Sequence, residues 1–219
     1  MPSSERPPIK LRAADQAYEA IEVLISTLRL EPGSPIVEAD LVAMTSLGRT
    51  PVREALLRMV SIGLIQQQPR RGLVVSNIDL ADHLDVIQTR RALERLIAAC
   101  AARRATAMQR QEVLRRAQAM VDAAAQGDLD AYMQADHALD VVIHLASQNQ
   151  SAVQCVLPLI VKCRRFWYAY QHEGEIAEGA RHHLALAQGI ASANESAAML
   201  GADQLMDYLE KFARRVINN

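Results

Sequence analysis

Arg49 and Arg53 lie four residues apart in the run Arg49-Thr50-Pro51-Val52-Arg53-Glu54-Ala55-Leu56, and Arg70 and Arg71 stand together just before Gly72. On a helix, that spacing places two guanidinium groups on one face, about one turn apart. Each is a planar, permanently charged fork that can pair with the O6 and N7 edge of guanine or with phosphate oxygens. A glycine beside a basic pair lets the backbone come close to another molecule. The chemistry on offer is recognition of a polyanion, with Arg49, Thr50, Arg53, Arg70, Arg71 and Gly72 as its candidate residues. Arginines of this kind also populate ordinary solvated faces, so the order of the elements around them decides.

Ala17, Ile21, Leu24, Ile25 and Leu28 recur at helical spacing, which predicts a helix over 14–30 with one buried face. Glu31-Pro32-Gly33-Ser34-Pro35 breaks the chain. A short second helix fits 38–44, and Gly48 is expected to supply a positive φ in the tight connection that follows. Thr50 is expected to cap the third helix with Pro51 at its first position, and Gly63 to end it. Val52, Leu56, Met59 and Val60 face inward in this reading. Two short strands, 64–67 and 73–76, flank the basic tip Gln68-Pro69-Arg70-Arg71-Gly72. The series is that of a winged helix-turn-helix over residues 11–76. Its third helix can enter a major groove N-terminus first, while the hairpin follows the adjacent backbone. Residues 1–10 carry Pro and Ser without the apolar stretch of a signal peptide, and are read as a flexible tail.

Composition supports a mainly α fold. Of 219 residues, 50% are hydrophobic and only 4% aromatic, with many strong helix formers. The net charge is −1, divided as +1 over residues 1–76 and −2 over 77–219, so contact with nucleic acid must come from local placement of arginine. Three widely spaced cysteines, Cys100, Cys155 and Cys163, form no metal motif and read as small buried thiols in a reducing cytoplasm. No apolar run approaches the ~18 residues of a membrane span. Helical patterns cover about 79–97, opened by Asp79, then 107–125, 128–147, 151–171, 177–192 and 195–217. Residues 77–219 are thus expected to form an antiparallel all-helical bundle. Trp167, Tyr168 and Tyr170 with Arg164 and Arg165 read as aromatic core beside a solvated basic face, with an effector-pocket lining as the alternative. His137, His144, His172 and His182 read as surface or structural residues. No nucleophile elbow, phosphate loop or complete metal motif is present, so an enzyme is not expected. The rival functions are a metal-dependent hydrolase and a DNA-independent ligand-binding protein.

With these elements in place, residues 15–76 resemble the GntR family of bacterial regulators. The resemblance is carried by Pro32-Gly33, Glu38, Leu41, Arg49 through Leu56, Gly63-Leu64-Ile65, Pro69, Arg71-Gly72 and Val75. Two positions depart from it: Gly48 replaces the family's usual serine, and Ala39 stands where an arginine is often found. The resemblance implies base or phosphate contacts for Arg49 and Arg53 and a wing contact at Gly72.

The remainder resembles the all-helical FCD domain of the FadR subgroup. Thr89-Arg90-Arg91-Ala92-Leu93-Glu94, Gly127-Asp128, Asp136, Leu139-Asp140, Ala146-Ser147-Gln148-Asn149 and His183 through Met206 carry the likeness. It implies an effector-binding and dimerising domain, and a homodimer that reads an inverted repeat in double-stranded DNA as a repressor. Many such domains hold a divalent ion with one aspartate and three histidines. Carried over, those positions are Asp136, Asp140, His183 and Leu205, so at most three ligands remain for Zn²⁺, Mn²⁺ or Ni²⁺. Asp140 with His144 offers the same spacing in a shifted register. A metal-free alternative uses Arg90 as the partner of an anionic, carboxylate effector, alongside Asp136, Asp140 and His183.

Overall fold

Thr27 and Ser26 turn their hydroxyls back onto the Val23 carbonyl, at 2.6 and 3.2 Å, and this ends the first helix, α1 (Ala13–Ser26). Such back-bonding competes with the helical ladder. Leu28 then takes a left-handed φ of 57°, so the helix stops four residues before the expected Leu30. The computed structural model describes residues 12–172 and 175–218; the tail expected at 1–10 lies outside the described residues.

Ala17, Ile21, Leu24 and Ile25 of α1 are buried, and the helix packs on α3 (Arg49–Ser61), whose Val52, Ala55, Leu56 and Met59 are buried in turn. Between them lies α2 (Glu38–Thr45). Three local expectations are corrected here. Gly48 has φ −69° and is itself the cap residue of α3, while the left-handed turn falls on Ser46 at φ 57°. Thr50 lies inside the helix and caps nothing, because the first intrahelical bond runs from Val52 N–H to the Gly48 carbonyl at 3.3 Å. Pro51 is then the third helical residue, where its missing N–H still falls among the donors that no helical carbonyl would accept. Gly63, at φ 77°, follows the helix end as expected.

The wing is an antiparallel pair, β1 (Ile65–Gln68) and β2 (Gly72–Val75), with Ile65 opposite Val75 and Gln68 opposite Gly72. Ile65, Val74 and Val75 point into the core. The Pro-rich break does more than interrupt the chain. Gly33 and Ile36 donate to the carbonyls of Val75 and Leu73, both at 2.8 Å, and Val75 donates back to Ser34 at 2.9 Å. The segment thereby covers the outer edge of β2, which would otherwise present unpaired backbone groups.

The chain divides into two compact units between Ile78 and Asp79. In the second unit, side-chain caps mark most helix starts. Asp79 accepts from Ala81 and Asp82 ahead of α4 (Leu80–Arg104), and Thr106 and Gln109 form a reciprocal capping box on α5 (Ala107–Gln126). Asp128 and Asn149 cap α6 (Leu129–Ser147) and α7 (Gln150–Tyr170). Asn194 accepts from Ala197 at the start of α9 (Glu195–Asn218), which pairs with α8 (Glu175–Ala191). Helix α4 is central: it packs on α6, α7, α8 and α9. The α8–α9 pair approaches closely because a Cβ on Gly201 would lie 2.6 Å from the Leu186 Cα, a separation only a bare backbone allows. Among the described residues no helix is long and apolar enough to cross a membrane. Cys100 and Cys163 are buried free thiols, whereas Cys155 is exposed, against the expectation for all three.

Candidate functional site

Helix α3 presents Arg49, Thr50 and Arg53 to solvent from its first turn and a half. Arg53 is anchored from one side: its Nε donates to Glu38 Oε2 of α2 at 2.7 Å while 64% of its side chain stays exposed. Using Nε in this way orders the long side chain and leaves the terminal amino groups as donors for an outside acceptor. Arg58, on the opposite face, is structural. Its Nη1 reaches Asp15 at 2.8 Å and its guanidinium lies 4.3 Å over the Tyr18 ring, tying α3 to α1. At the wing tip Arg70 (φ 64°), Arg71 and Gly72 (φ 74°) are all exposed. A Cβ on Gly72 would meet nothing within 4 Å, so the glycine serves the left-handed backbone of the hairpin. Ala39 is exposed in the first turn of α2.

The second unit buries a polar cluster. Asp136 and Asp140, one turn apart on α6, both accept from Arg164 of α7: Nε lies 2.5 Å from Asp136 Oδ2 and Nη2 lies 2.7 Å from Asp140 Oδ2. His183 of α8 places Nε2 at 3.1 Å from Asp136 Oδ1 and Nδ1 at 2.8 Å from the Gly179 carbonyl. Both of those partners are acceptors, an arrangement that favours the protonated ring. Burial works against charge on His183, but the hydrogen bond and charge of Asp136 prevail, and its pKa is raised. Burial likewise disfavours the Asp136 carboxylate, yet Arg164 and His183 hold its pKa far below the usual range. Arg90 of α4 is buried and bonded through Nε to Glu94 at 2.9 Å. Its burial cost is exceeded by the pull of Glu94, and its pKa is raised.

Arg90, Asp136, Arg164 and His183 line a cavity of about 30 Å³ together with Tyr132, Met133, Cys163, Trp167, Tyr208 and Leu209. Trp167 Nε1 donates to Tyr208 Oη at 2.8 Å, and Tyr208 donates onward to Glu175 Oε2 at 3.0 Å. Tyr132 stacks on Trp167 with ring centroids 5.3 Å apart. The expected solvated basic face is therefore corrected. Arg164 and Arg165 are both buried, and burial pulls the Arg165 pKa down to about 10. Trp167 and Arg164 line the pocket, while Tyr168 does not. Among the residues not anticipated, Glu94 carried a signal, four residues after Arg90 on a buried helical face. Tyr132, Tyr208 and Glu175 carried none, because their partners lie on other helices.

The divalent ion implied by the resemblance does not fit the residues present. A guanidinium fork lies between the two carboxylates, the His183 nitrogens both face acceptors, and Leu205 is a buried alkyl side chain. Among the described residues no group of three potential ligands is assembled. His137, at 3.4 Å from Arg164 Nη1, and His182, stacked on Tyr208 at 5.2 Å, are structural. His144 is half-buried and stands outside this cluster.

His83 escaped the sequence reading. It is buried in α4 and stacks on Phe166 at 3.6 Å with an interplanar angle of 7°. Burial, aided by the Arg90 charge, pulls its pKa to about 4. The folded pKa lies below the ordinary ~6.5, so its contribution to stability is complete above that pH and is lost as pH falls toward 4. The expected loss is about 3 kcal/mol by linkage. A His83→Phe variant should show a flatter fall in melting temperature between pH 7 and pH 4 than the parent; parallel slopes would remove His83 as the acid-sensitive group.

Taken with the fold, these geometries define a winged helix-turn-helix protein that carries a separate all-helical domain with a small pocket lined by charged and apolar side chains. The family of bacterial regulatory proteins named gntR matches residues 13–75, and the FCD domain matches residues 85–207. The chain belongs to the GntR family of regulators, in the FadR-like subgroup with a C-terminal FCD domain. It is 35% identical over 94 residues to the HTH-type transcriptional repressor RspR of Escherichia coli K12, covering 42% of this chain and 39% of RspR. It is 31% identical over 81 residues to a probable D-xylose utilization operon transcriptional repressor of Paenarthrobacter nicotinovorans, covering 37% and 36% of the two chains. The matches thus span well under half the length of these curated relatives. Among solved structures, Escherichia coli McbR/YncC gives a TM-score of 0.81 at 18% identity, over 95% of this chain and 100% of that one. A GntR regulator from Rhodococcus sp. RHA1 gives 0.67 at 14% identity, over 94% and 97%. At these identities the likeness is one of fold.

Proposed function

We propose that this chain is a cytoplasmic, homodimeric transcriptional repressor that reads an inverted repeat in double-stranded DNA and is released by a small anionic effector. The observation that carries the DNA-reading role is the exposed start of α3, where Arg53 is held by Glu38 beside Arg49. Arg49 and Arg53 contact bases or phosphates in the major groove, Thr50 contacts phosphate, and Arg70, Arg71 and Gly72 follow the adjacent backbone. Two relatives carry the name repressor, which supports that sign of regulation.

The effector role falls to the bundle pocket, with Arg90 as the group that meets a carboxylate and Asp136, Asp140, Arg164 and His183 as the wall that holds its shape. A cavity of about 30 Å³ has room for one or two waters. An organic effector therefore enters only as the lining moves, and it binds the moved state better. That differential affinity is the coupling, typically ~1–3 kcal/mol, or about 5- to 150-fold in DNA affinity.

The test is selection of bound duplexes from a random library by the full-length protein. Enrichment of sequences sharing an inverted repeat is the expected result. Recovered sequences no different from the input would end the regulator reading.

A further inference from the structure

We infer that in this chain a side chain has taken over the place of the divalent ion, so that the bundle pocket works without metal. Arg164 reaches from α7 across to α6 and binds Asp136 through Nε and Asp140 through Nη2. The two carboxylates sit one turn apart on α6, and the guanidinium fork spans that gap. They are the two ligands a metal would need first, and both already hold a cation. The third is already engaged by its neighbours. His183 directs Nδ1 to the Gly179 carbonyl and Nε2 to Asp136, so an ion would have to part the imidazole from the carboxylate. The fourth is Leu205, 2% exposed, with no donor atom.

Charge points the same way. Asp136 and Asp140 face Arg164 and His183, and the other guanidinium on the cavity, Arg90, is already paired with Glu94. A dication would have to displace the buried Arg164 guanidinium from both carboxylates, which is costly for a charge held away from water. A guanidinium stays charged throughout the physiological range and cannot be stripped by a chelator. Because it is covalently part of α7, it also ties the pocket mechanically to that helix, which a free ion does not. As the wall of the effector pocket, the cluster rests on the reading given above; its metal content can be measured without DNA or effector.

The experiment uses the full-length chain, dialysed against EDTA and then equilibrated with Ni²⁺, Zn²⁺ or Mn²⁺ before removal of excess ion. The readouts are elemental analysis and melting temperature. The parent is expected to retain no metal and to melt alike in EDTA and in metal. Arg164→Ala frees the two carboxylates, and His183 Nε2, beside Asp136, would give up its proton to serve as the third ligand. It is expected to take up about one ion per chain and to melt higher with metal than without, as binding to the folded state alone requires. Arg164→Ala combined with Asp136→Asn is expected to lose that uptake. A parent that holds about one ion per chain, removed by EDTA with a fall in melting temperature, overturns the inference. So does a folded Arg164→Ala chain that takes up none. Should Arg164→Ala fail to fold, the parent's metal content and chelator response decide alone. Failure to select an operator would strike the regulator reading and leave these results standing.

Discussion

Replacing both Arg49 and Arg53 by alanine is expected to weaken operator binding by about 30-fold to 10⁴-fold. Each guanidinium that pairs with a guanine edge contributes ~1–3 kcal/mol, and two such contacts make ~2–6 kcal/mol, at ~1.4 kcal/mol per tenfold. Folding should barely register the change. Both side chains are exposed, and the ion pair lost among the described residues is the exposed Arg53–Glu38 contact, a class worth ~0–1 kcal/mol. The single variants separate two roles. Loss of a base contact relaxes sequence preference at one position, while loss of a phosphate contact weakens all duplexes alike and lowers the salt slope by about 1. Titration of the selected duplex at two salt concentrations measures both. If the double variant binds as tightly as the parent, α3 is not the reading helix.

The second large effect is on stability. Asp136→Ala removes the carboxylate that lies between Arg164 and His183; Arg164 keeps its bond to Asp140, but His183 loses its carboxylate inside the bundle. Removing one partner of a buried charge pair costs ~3–5 kcal/mol, because the remaining charge is left without compensation. For a unit of this size that is a fall of about 10 °C or more in melting temperature. The pH dependence follows from two opposite shifts. Asp136 is held below the usual carboxylate range, so its contribution is present above about pH 4 and is lost as pH falls through the lowered value. His183 is raised, so its contribution is complete below about pH 6.5 and is lost as pH rises through the raised value. The gap between parent and Asp136→Ala should therefore be widest between about pH 4 and 6.5 and narrow on either side. Melting curves at pH 5 and pH 9 test this; a gap below about 2 °C at pH 5 would mean the cluster contributes little.

The difference between these two sites reflects how their parts are spread along the chain. In the DNA-reading head, Arg49 and Arg53 share one helix, and Glu38 lies on the helix just before it. Residue type and spacing alone place them on one face. What the head withheld was local geometry. Ser46, and not Gly48, adopts the left-handed conformation, and Thr50 lies one step too far into α3 to cap it. The Pro-rich break doubles as an edge for β2, because its backbone groups meet a strand about forty residues later.

In the bundle, helix positions were legible from apolar periodicity, with Asp79 marking the first start; Thr106, Asp128 and Asn149 cap the next three. The periodicity of Ala, Leu, Ile and Val says which faces are buried, but not which helix each face meets. Arg164 is 24 residues from Asp140 and 28 from Asp136, and beside Arg165 it looks like surface charge. Only the packing of α7 against the rest of the bundle puts it indoors, and a buried arginine must then find carboxylates. The amino-acid order determined the elements, the helix proposed to read DNA and the family. Tertiary packing decided what fills the pocket, since charges on separate helices acquire partners only when those helices meet.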